Sequence, residues 1–414
     1  MRWPLELEMH EFRLFLSWSF GSSNQASLQH LTYHTPPALI LTGQLNLHSP
    51  VRSMCKYLPV IAIHFLVTTV SFAQTPTPPK HRIFAGTGQG VTNPQAYEAG
   101  SPAGPAAKLM IGNPFGIEFS HDGVFITSVD DHCIYRGTLD GASLKRVVGN
   151  GLMGYSGDGG PATDATFNWP HEVRADAIGN LYIADTRNHV IRKVDALTGV
   201  VTTLAGDGNP GFAGDGERGA KIRFRQPHSV VLDGAGGLLV ADTVNHRIRR
   251  IDLQTGVIRT ISGTGEKKFP VEGSASLNSP LSGPRSLAVD QDSIWIAMRE
   301  GNSIWRIDRK TNKIHHVAGT GRKGYTGDGG PPLQATFKGP KGLVLDAQGR
   351  ILVVDTENHA VRRIDLSLNR IDTILGGHSS SDTFPLKRPH GIAYKKDFGY
   401  LVADSEFHRV LQGQ

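Results

Sequence analysis

The chain has 414 residues, which is enough for one large domain or two ordinary ones. Hydrophobic residues make up 39 % and charged residues 19 %, a balance that excludes an intrinsically disordered chain, while 49 Gly and 24 Pro indicate many turns between short strands. The net charge of +6 is mild and is not concentrated in a Lys/Arg run, so no nucleic-acid partner is expected.

The first feature in chain order, residues 54–73, is typical of a secretory signal. It begins at Met54, Lys56 gives it a positive start, an apolar run follows, and Ala73 supplies a small residue where signal peptidase cleaves. We therefore expect a signal peptide over these residues and a secreted or periplasmic protein. If residues 58–73 stayed uncleaved, they would instead anchor the protein to a membrane.

The residues on either side of this segment are expected to lie outside the folded domain. Residues 74–80 form a Pro-rich spacer, and residues 1–53 are either an over-extended gene start or a disordered extension. Cys55 would leave with the signal peptide, so Cys133 would have no partner for a disulfide bond. An exported protein of this kind must be stable through its core alone.

Six similar segments organise residues 81–414. Each contains a proline, and these prolines recur at nearly constant spacing: Pro114, Pro170, Pro227, Pro284, Pro340 and Pro389. Each complete segment has four short runs rich in Val, Ile, Leu and Tyr, separated by Gly, Asn or Asp; in the second segment these are 171–174, 181–184, 190–194 and 200–204. Four antiparallel strands repeated six times predict an all-β, six-bladed β-propeller.

The sixth segment ends after its third strand, and the missing strand is found near the start of the domain. Residues 82–88 match residues 316–321, where the fourth strand of the fourth segment ends. The N-terminal strand is therefore expected to complete the last blade. This closure of the ring would remove the open sheet edge that an unclosed array exposes.

The repeats resemble those of the NHL-repeat family. The matching features are the Pro-x-x-hydrophobic start, a Gly-hydrophobic-hydrophobic-hydrophobic-Ala-Asp strand, the Asn-His pair, and Ile-Arg-x-hydrophobic-Asp. They extend from about residue 80 to residue 414. The resemblance implies a propeller fold but leaves the activity open, because many functions share this scaffold.

The residue after each anchoring proline is the main candidate for function. These residues open the innermost strands and should encircle one mouth of the central channel: Phe115, His171, His228, Arg285, Lys341 and His390. Converging imidazoles can bind a divalent metal, whereas converging cations can hold a carboxylate or phosphate. A third interpretation is structural, with each histidine hydrogen-bonded at the channel edge. Ligand binding at the mouth is assigned to His171, His228, Arg285, Lys341 and His390.

The Pro-His segments are also similar to the metal-ligand segments of the peptidyl-hydroxyglycine amidating lyases, NHL-type propellers that hold zinc through three channel histidines. This resemblance implies a metal site at His171, His228 and His390. The three histidines fall unevenly, in the second, third and sixth segments. Arg285 and Lys341 also point positive charge at the site, which opposes cation binding.

An Asp-x-x-Asn-His motif follows the second strand of three segments, and its recurrence predicts an architectural role. The members are Asp185, Asn188 and His189; Asp242, Asn245 and His246; and Asp355, Asn358 and His359. The carboxylate is expected to accept backbone N–H groups of the turn that follows, and the histidine to pack at the start of the third strand. The sixth segment keeps part of the motif, as Asp404 and His408, and the first and fourth segments lack it.

The connections that enter the second, third and fifth segments share a Gly-Asp-Gly sequence, with the aspartates Asp158, Asp215 and Asp328. Such loops suggest calcium, but one carboxylate per loop falls well short of the six to eight oxygen ligands that calcium takes. Rigid turns that pack an aromatic side chain are expected instead, using Tyr155, Phe212 and Tyr325. A divalent metal, zinc or calcium, thus remains an open cofactor.

Two functions from different classes remain, and whether the chain is an enzyme stays open. The first is an exported, monomeric propeller that binds a protein, a glycan or a small anionic ligand through its loop-rich face and basic channel mouth. The alternative is a metal-dependent lyase or hydrolase, amidating-lyase-like or lactonase-like, with the metal acting as a Lewis acid. The sequence contains no Gly-x-Ser-x-Gly, phosphate-binding loop, His-Glu-x-x-His or Cys-x-x-Cys motif.

Overall fold

A computed structural model of the chain describes residues 3–9, 12–20, 26–27, 81–90, 104–377 and 384–414. The chain divides into two compact units, Met1–Thr75 and Pro76–Gln414. In the first unit, three strands form an antiparallel sheet in chain order: β1 Trp3–Met9, β2 Phe12–Phe20 and β3 Ala26–Ser27. Residues 54–73 and 74–80 lie outside the described residues, so the signal peptide, the spacer and the origin of residues 1–53 stay predictions.

The second unit contains six four-stranded antiparallel sheets, here called blades 1 to 6 in chain order. Blades 1 to 3 consist of β5 Pro114–Phe119, β6 Gly123–Ser128, β7 Cys133–Thr138 and β8 Leu144–Val148; β9 Pro170–Ala175, β10 Leu181–Asp185, β11 Val190–Val194 and β12 Val201–Ala205; and β13 Pro227–Leu232, β14 Gly237–Asp242, β15 Arg247–Asp252 and β16 Ile258–Ser262. Blades 4 to 6 consist of β17 Pro284–Val289, β18 Ser293–Met298, β19 Ser303–Asp308 and β20 Ile314–Ala318; β21 Pro340–Leu345, β22 Ile351–Asp355, β23 Ala360–Asp365 and β24 Arg370–Gly376; and β25 Ile392–Lys395, β26 Gly399–Asp404, β27 Arg409–Gly413 and β4 His81–Ala85.

The innermost strand of each blade contacts the innermost strands of both neighbours, and β25 of blade 6 contacts β5 of blade 1. The six blades therefore form a closed ring, which confirms the predicted six-bladed propeller. The N-terminal strand β4 completes blade 6 as expected: it pairs antiparallel with β27, with Ala85 opposite Val410 and Arg82 opposite Gln412.

Helical structure in the described residues is confined to three-residue 3-10 turns: Ala106–Lys108, Thr186–Asn188, Thr243–Asn245, Ser276–Asn278, Pro332–Gln334, Thr356–Asn358 and Ser405–Phe407. Within those residues, no helix has the length and apolar character needed to cross a membrane. Cys133 is a free, buried thiol at the start of β7, as the sequence predicts.

The hydrophobic core lies between the blades, in six apolar clusters that each join two neighbours. Strand β14 shows how the sequence achieves this. Leu238 and Val240 pack into the cluster shared with blade 2, whereas Leu239 and Ala241 pack into the cluster shared with blade 4. Because successive side chains of a strand point to opposite faces, a continuous apolar run is needed where both faces are covered.

A residue whose backbone adopts the left-handed conformation links every blade to the next through its side chain. The six linking residues have φ between 43° and 58°: His132, His189, His246, Asn302, His359 and His408. The side chain of each accepts the backbone N–H of the residue that immediately precedes the anchoring proline of the next blade, at 2.9–3.4 Å. These donors are Trp169, Gln226, Gly283, Gly339, Arg388 and Asn113. Blades 1 and 4, which lack the full Asp-x-x-Asn-His motif, therefore keep its linking function.

The aspartate of that motif fastens the connection that enters its own blade. Asp185 accepts the backbone N–H of Asn168 with one oxygen and the side-chain amide of Asn188 with the other, both at 2.8 Å. Asp242 and Asp355 repeat the arrangement. The prediction that the carboxylate accepts backbone N–H groups of the turn that follows is therefore wrong in its donor: the backbone N–H comes from the preceding connection, and the following turn contributes the side-chain amide of Asn188.

Three arginines on the third strands explain the Gly-Asp-Gly connections. Arg192, Arg249 and Arg362 are completely buried. Each pairs with the aspartate of the connection at 2.7–2.8 Å and lies 3.6–3.9 Å from the aspartate of the motif. Each guanidinium also lies between two aromatic rings, as Arg192 does between Tyr155 and Phe167. The connections are thus turns that pack an aromatic residue, and their carboxylates serve an arginine.

Candidate functional site

The six residues that follow the anchoring prolines meet at the end of the channel where the innermost strands begin, here called the near mouth. All are buried, with 5–9 % of their surface exposed: Phe115, His171, His228, Arg285, Lys341 and His390. The first five are the second residues of β5, β9, β13, β17 and β21, and the sixth lies two residues before β25. Repetition of the blade therefore places one side chain from each blade at the same height in the channel.

Three aromatic contacts fix the order of the rings. Phe115 stacks on His390 with ring centroids 3.8 Å apart and meets His171 edge-on at 4.9 Å. His171 in turn meets His228 edge-on at 4.6 Å. The phenyl ring therefore lies between His390 and the other two histidines.

The donor atoms of these histidines do not fit a three-histidine metal site. His390 has both ring nitrogens engaged: Nδ1 lies 2.9 Å from the Ser405 hydroxyl, and Nε2 lies 3.2 Å from the Lys341 ammonium. His171 Nδ1 donates to the carbonyl oxygen of Trp169 at 2.8 Å. Across the residues that the structure describes, no three His, Cys, Asp or Glu side chains are arranged to hold a metal ion. The ammonium beside His390 would also repel a cation.

The local electrostatics keep the histidines neutral. Burial, and after it the charge of Arg285, holds the pKa of His171 and of His228 well below 6.5. For His390, burial acts first, followed by Lys341 and then Arg285, and the pKa is again well below 6.5. At neutral pH the positive charge of the near mouth therefore belongs to Arg285 and Lys341.

These two cations differ in their partners. Lys341 donates to Glu357 at 3.0 Å, and burial nevertheless lowers the pKa of its ammonium to about 8. Arg285 makes no hydrogen bond or ion pair with any residue that the structure describes, and burial, followed by the charge of Arg299, lowers its pKa to about 9 against the opposing effect of the Glu172 carboxylate. A buried charge without a partner is costly. Arg285 is therefore suited to receive an anion from outside the chain.

The space beside Arg285 is small and polar. A cavity of about 20 Å³ is lined by Phe115, His171, Arg285, Lys341 and His390, among others. This is room for one or two water molecules, or for a head group of similar size. Nearby, Nδ1 of His228 is buried without a hydrogen-bond partner among the described residues. The site can therefore enclose a small acidic group while the rest of a ligand stays outside.

The rim of the near mouth contains functional candidates that the sequence analysis missed. The Arg187 guanidinium lies 3.3 Å from the centroid of the Trp169 ring, and Trp169 has φ 56°, which is unusual for a large aromatic residue. On the other side, Arg388 pairs with Glu357 at 2.9 Å and with Glu406 at 2.8 Å.

A sequence signal for these residues existed. Arg187 and Glu357 occupy the variable position of the Asp-Thr-x-Asn-His segments. Trp169 and Arg388 immediately precede the anchoring prolines of blades 2 and 6. Positions that vary inside an otherwise constant repeat, on the face that carries the candidate site, are where one blade can be specialised without changing the fold.

The repeats of this chain are similar to those of known NHL-repeat proteins. The NHL repeat family matches residues 224–251 and 337–364. NHL repeat-containing protein 2 of Gallus gallus is 29 % identical over 280 residues, which are 58 % of this chain and 38 % of that protein. Protein SUPPRESSOR OF QUENCHING 1, chloroplastic, of Arabidopsis thaliana is 28 % identical over 265 residues, which are 59 % of this chain and 25 % of that protein.

The chain thus spans well under half the length of either relative. Among solved structures, an auxiliary nutrient binding protein from Bacteroides thetaiotaomicron superposes with a TM-score of 0.56 at 14 % identity, over 80 % of this chain and 75 % of that one. At this level of identity, the similarity concerns the fold.

Proposed function

Because the chain belongs to the family of NHL-repeat β-propellers, we propose that it is a binding module whose near mouth recognises a carboxylate group of a ligand or partner. The observation that carries the proposal is the buried Arg285 guanidinium, which has no anionic partner among the described residues. A planar guanidinium matches a carboxylate through two parallel hydrogen bonds.

The charge balance favours a monoanion. Glu357 already offsets the charge of Lys341, and burial keeps the three channel histidines neutral. Arg285 is then the cation of the cavity lining that has no direct ion pair among the described residues, because the nearby Glu172 carboxylate pairs with Arg174 and acts on Arg285 only at longer range. The cavity of about 20 Å³ matches a carboxylate better than a larger, doubly charged phosphate.

The body of the ligand would lie at the rim, between Trp169 with Arg187 on one side and Arg388 on the other. An aromatic ring and a guanidinium offer a stacking surface to a planar or sugar-like group. Binding would take place outside the cytoplasm if residues 54–73 direct export. The metal-dependent lyase or hydrolase finds no support in the donor geometry, since His390 faces an ammonium group.

Calorimetric titration with benzoate tests the proposal, and benzamide serves as the uncharged analogue. We expect benzoate to bind the wild-type protein and to bind Arg285→Met at least tenfold more weakly. Arg259→Met, which removes an exposed arginine on the outer strand β16, should bind as the wild type does. Equal binding of benzamide, or unchanged binding by Arg285→Met, would refute carboxylate recognition.

The affinity for benzoate should also fall as the pH rises. Lys341 loses its proton around its pKa of about 8, so the near mouth becomes less positive between pH 7 and pH 10. Titrations at pH 7 and pH 10 measure this loss. An affinity that is the same at both values would mean that Lys341 does not help to hold the anion.

A further inference from the structure

The opposite end of the channel, where the innermost strands end, is here called the far mouth, and it has a different chemistry. A cavity of about 350 Å³ lies there, lined by residues from all six blades. Most of the lining side chains are apolar, among them Phe119, Leu232, Val289, Leu345 and Tyr394, while polar atoms supply about as much of the exposed wall as apolar atoms do. The last two residues of the innermost strands of blades 1 to 5 are only half-buried, and all of them except Ala175 line this cavity. The volume falls within the usual range of small-molecule sites.

Two charged side chains, Glu118 and Arg174, lie among the apolar side chains of the wall. Glu118 on β5 lies 3.7 Å from Nε of Arg174, and its nearest backbone donor is the N–H of Ala175 at 3.5 Å. Arg174 directs its other groups elsewhere, to the carboxylate of Glu172 and the carbonyl oxygen of Val173. Two carboxylates thus share one guanidinium, and the excess negative charge is on Glu118.

Glu118 is therefore poorly compensated for a group in such surroundings. Burial is the main influence on it and raises its pKa to about 7. The other nearby cation, Lys395 on β25, donates to the backbone carbonyl of Ser120 at 3.0 Å. A cationic group placed in the cavity would reach the free side of Glu118 and supply the hydrogen bonds that it lacks.

We propose that the far mouth is a second ligand site, which binds a small molecule with an apolar body and one protonated amine, the amine at Glu118. An anionic ligand would be repelled by this carboxylate, and a neutral apolar ligand would bury it without a partner. The site lies at the opposite end of the channel from Arg285 and selects the opposite charge. It is therefore independent of the proposed carboxylate site.

Fluorescence titration with monodansylcadaverine tests the proposal, because this probe joins an apolar dansyl group to a primary amine. Its N-acetyl derivative has the same body without the charge. At pH 8 we expect the wild-type protein to bind the amine at least tenfold more tightly than the acetylated probe. Glu118→Gln should remove this difference, while Asp122→Asn, which neutralises an exposed carboxylate of the same blade, should preserve it.

Two further measurements keep the test decisive. Val289→Trp fills the cavity without touching a charge and should abolish binding of the amine, with folding checked by circular dichroism. Arg285→Met should leave the titration unchanged, which separates this site from the near mouth. Equal affinity for both probes, or amine binding that survives Glu118→Gln or Val289→Trp in a folded variant, would overturn the proposal.

Discussion

Replacing Arg285 by methionine should stabilise the unliganded protein, although most substitutions of buried residues destabilise. Arg285 is only 6 % exposed, and burial lowers the pKa of its guanidinium from 12.5 to about 9. At about 1.36 kcal/mol per pKa unit, the shift corresponds to about 5 kcal/mol of destabilisation at pH 7. Methionine removes the charge and can repack, so we expect a net gain of about 1–4 kcal/mol.

The sign can be checked by pH as well. Because the folded-state pKa of Arg285 lies below the unfolded-state value, the cost is present in full below pH 9 and fades as the pH rises towards 12.5. The advantage of Arg285→Met over the wild type should therefore shrink in alkaline solution.

Arg249→Met is the matched control, because Arg249 is also completely buried but forms an ion pair. Its guanidinium pairs with Asp215 at 2.7 Å and donates to two backbone carbonyls at 2.9 Å, beside the buried Asp242. Its loss should cost about 3–5 kcal/mol. Urea unfolding at pH 7, followed by tryptophan fluorescence, measures both variants. If Arg285→Met lowers the midpoint as Arg249→Met does, Arg285 has an internal partner and the reasoning fails.

Three further predictions concern the ring of blades. His246→Ala removes the acceptor between blades 3 and 4 and should cost about 1–2 kcal/mol in urea unfolding, while His246→Asn should recover most of it because Asn302 makes the same link; equal losses would contradict the role of the acceptor. Gly391→Ala would press a Cβ into the carbonyl oxygen of Phe115 and should cost more than about 2 kcal/mol, whereas Gly160→Ala, whose Cβ meets nothing closer than 3.4 Å, should cost under about 1 kcal/mol; similar costs would refute the close approach. Burial lowers the pKa of three linking histidines, His132, His189 and His246. The stability they contribute is therefore complete above about pH 6.5 and is lost as the pH falls through the lower folded-state values. Relative to the wild type, His246→Asn should therefore unfold at a higher urea concentration at pH 5 than at pH 7.

The fold could be predicted from the sequence because the repeat displays its own period. Six similar segments with four strand-like runs allow few architectures, and the match between residues 82–88 and 316–321 located the strand that closes the ring. The near mouth followed for the same reason, since a residue at one position of every repeat must lie at one height in the ring. Repetition therefore made long-range contacts predictable.

The chemistry of the site could not be predicted in the same way, because it depends on which charges meet. Lys341 is paired by Glu357 from a 3-10 turn of the same blade, whereas the corresponding residue of blade 4, Glu300, pairs with Arg299 and makes no ion pair with Arg285. Phe115 separates His390 from the other two histidines, which a list of residues does not reveal.

The buried arginines illustrate a signal that was present in the sequence and was not used. Arg192, Arg249 and Arg362 occur in the same three segments that carry a Gly-Asp-Gly connection. The coincidence of a basic and an acidic residue in the same subset of repeats predicts an ion pair, because both are absent together from the other segments. Either feature alone does not predict the pairing.

Crystals soaked in 4-bromobenzoate would test the central claim most directly, because anomalous scattering locates the bromine atom. We predict a bromine peak at the opening of the near mouth, beside Trp169, with the carboxylate about 3 Å from the guanidinium of Arg285 and no such peak in Arg285→Met. Bromine found only at other surfaces, or a peak at the near mouth that persists in Arg285→Met, would contradict carboxylate recognition by this propeller.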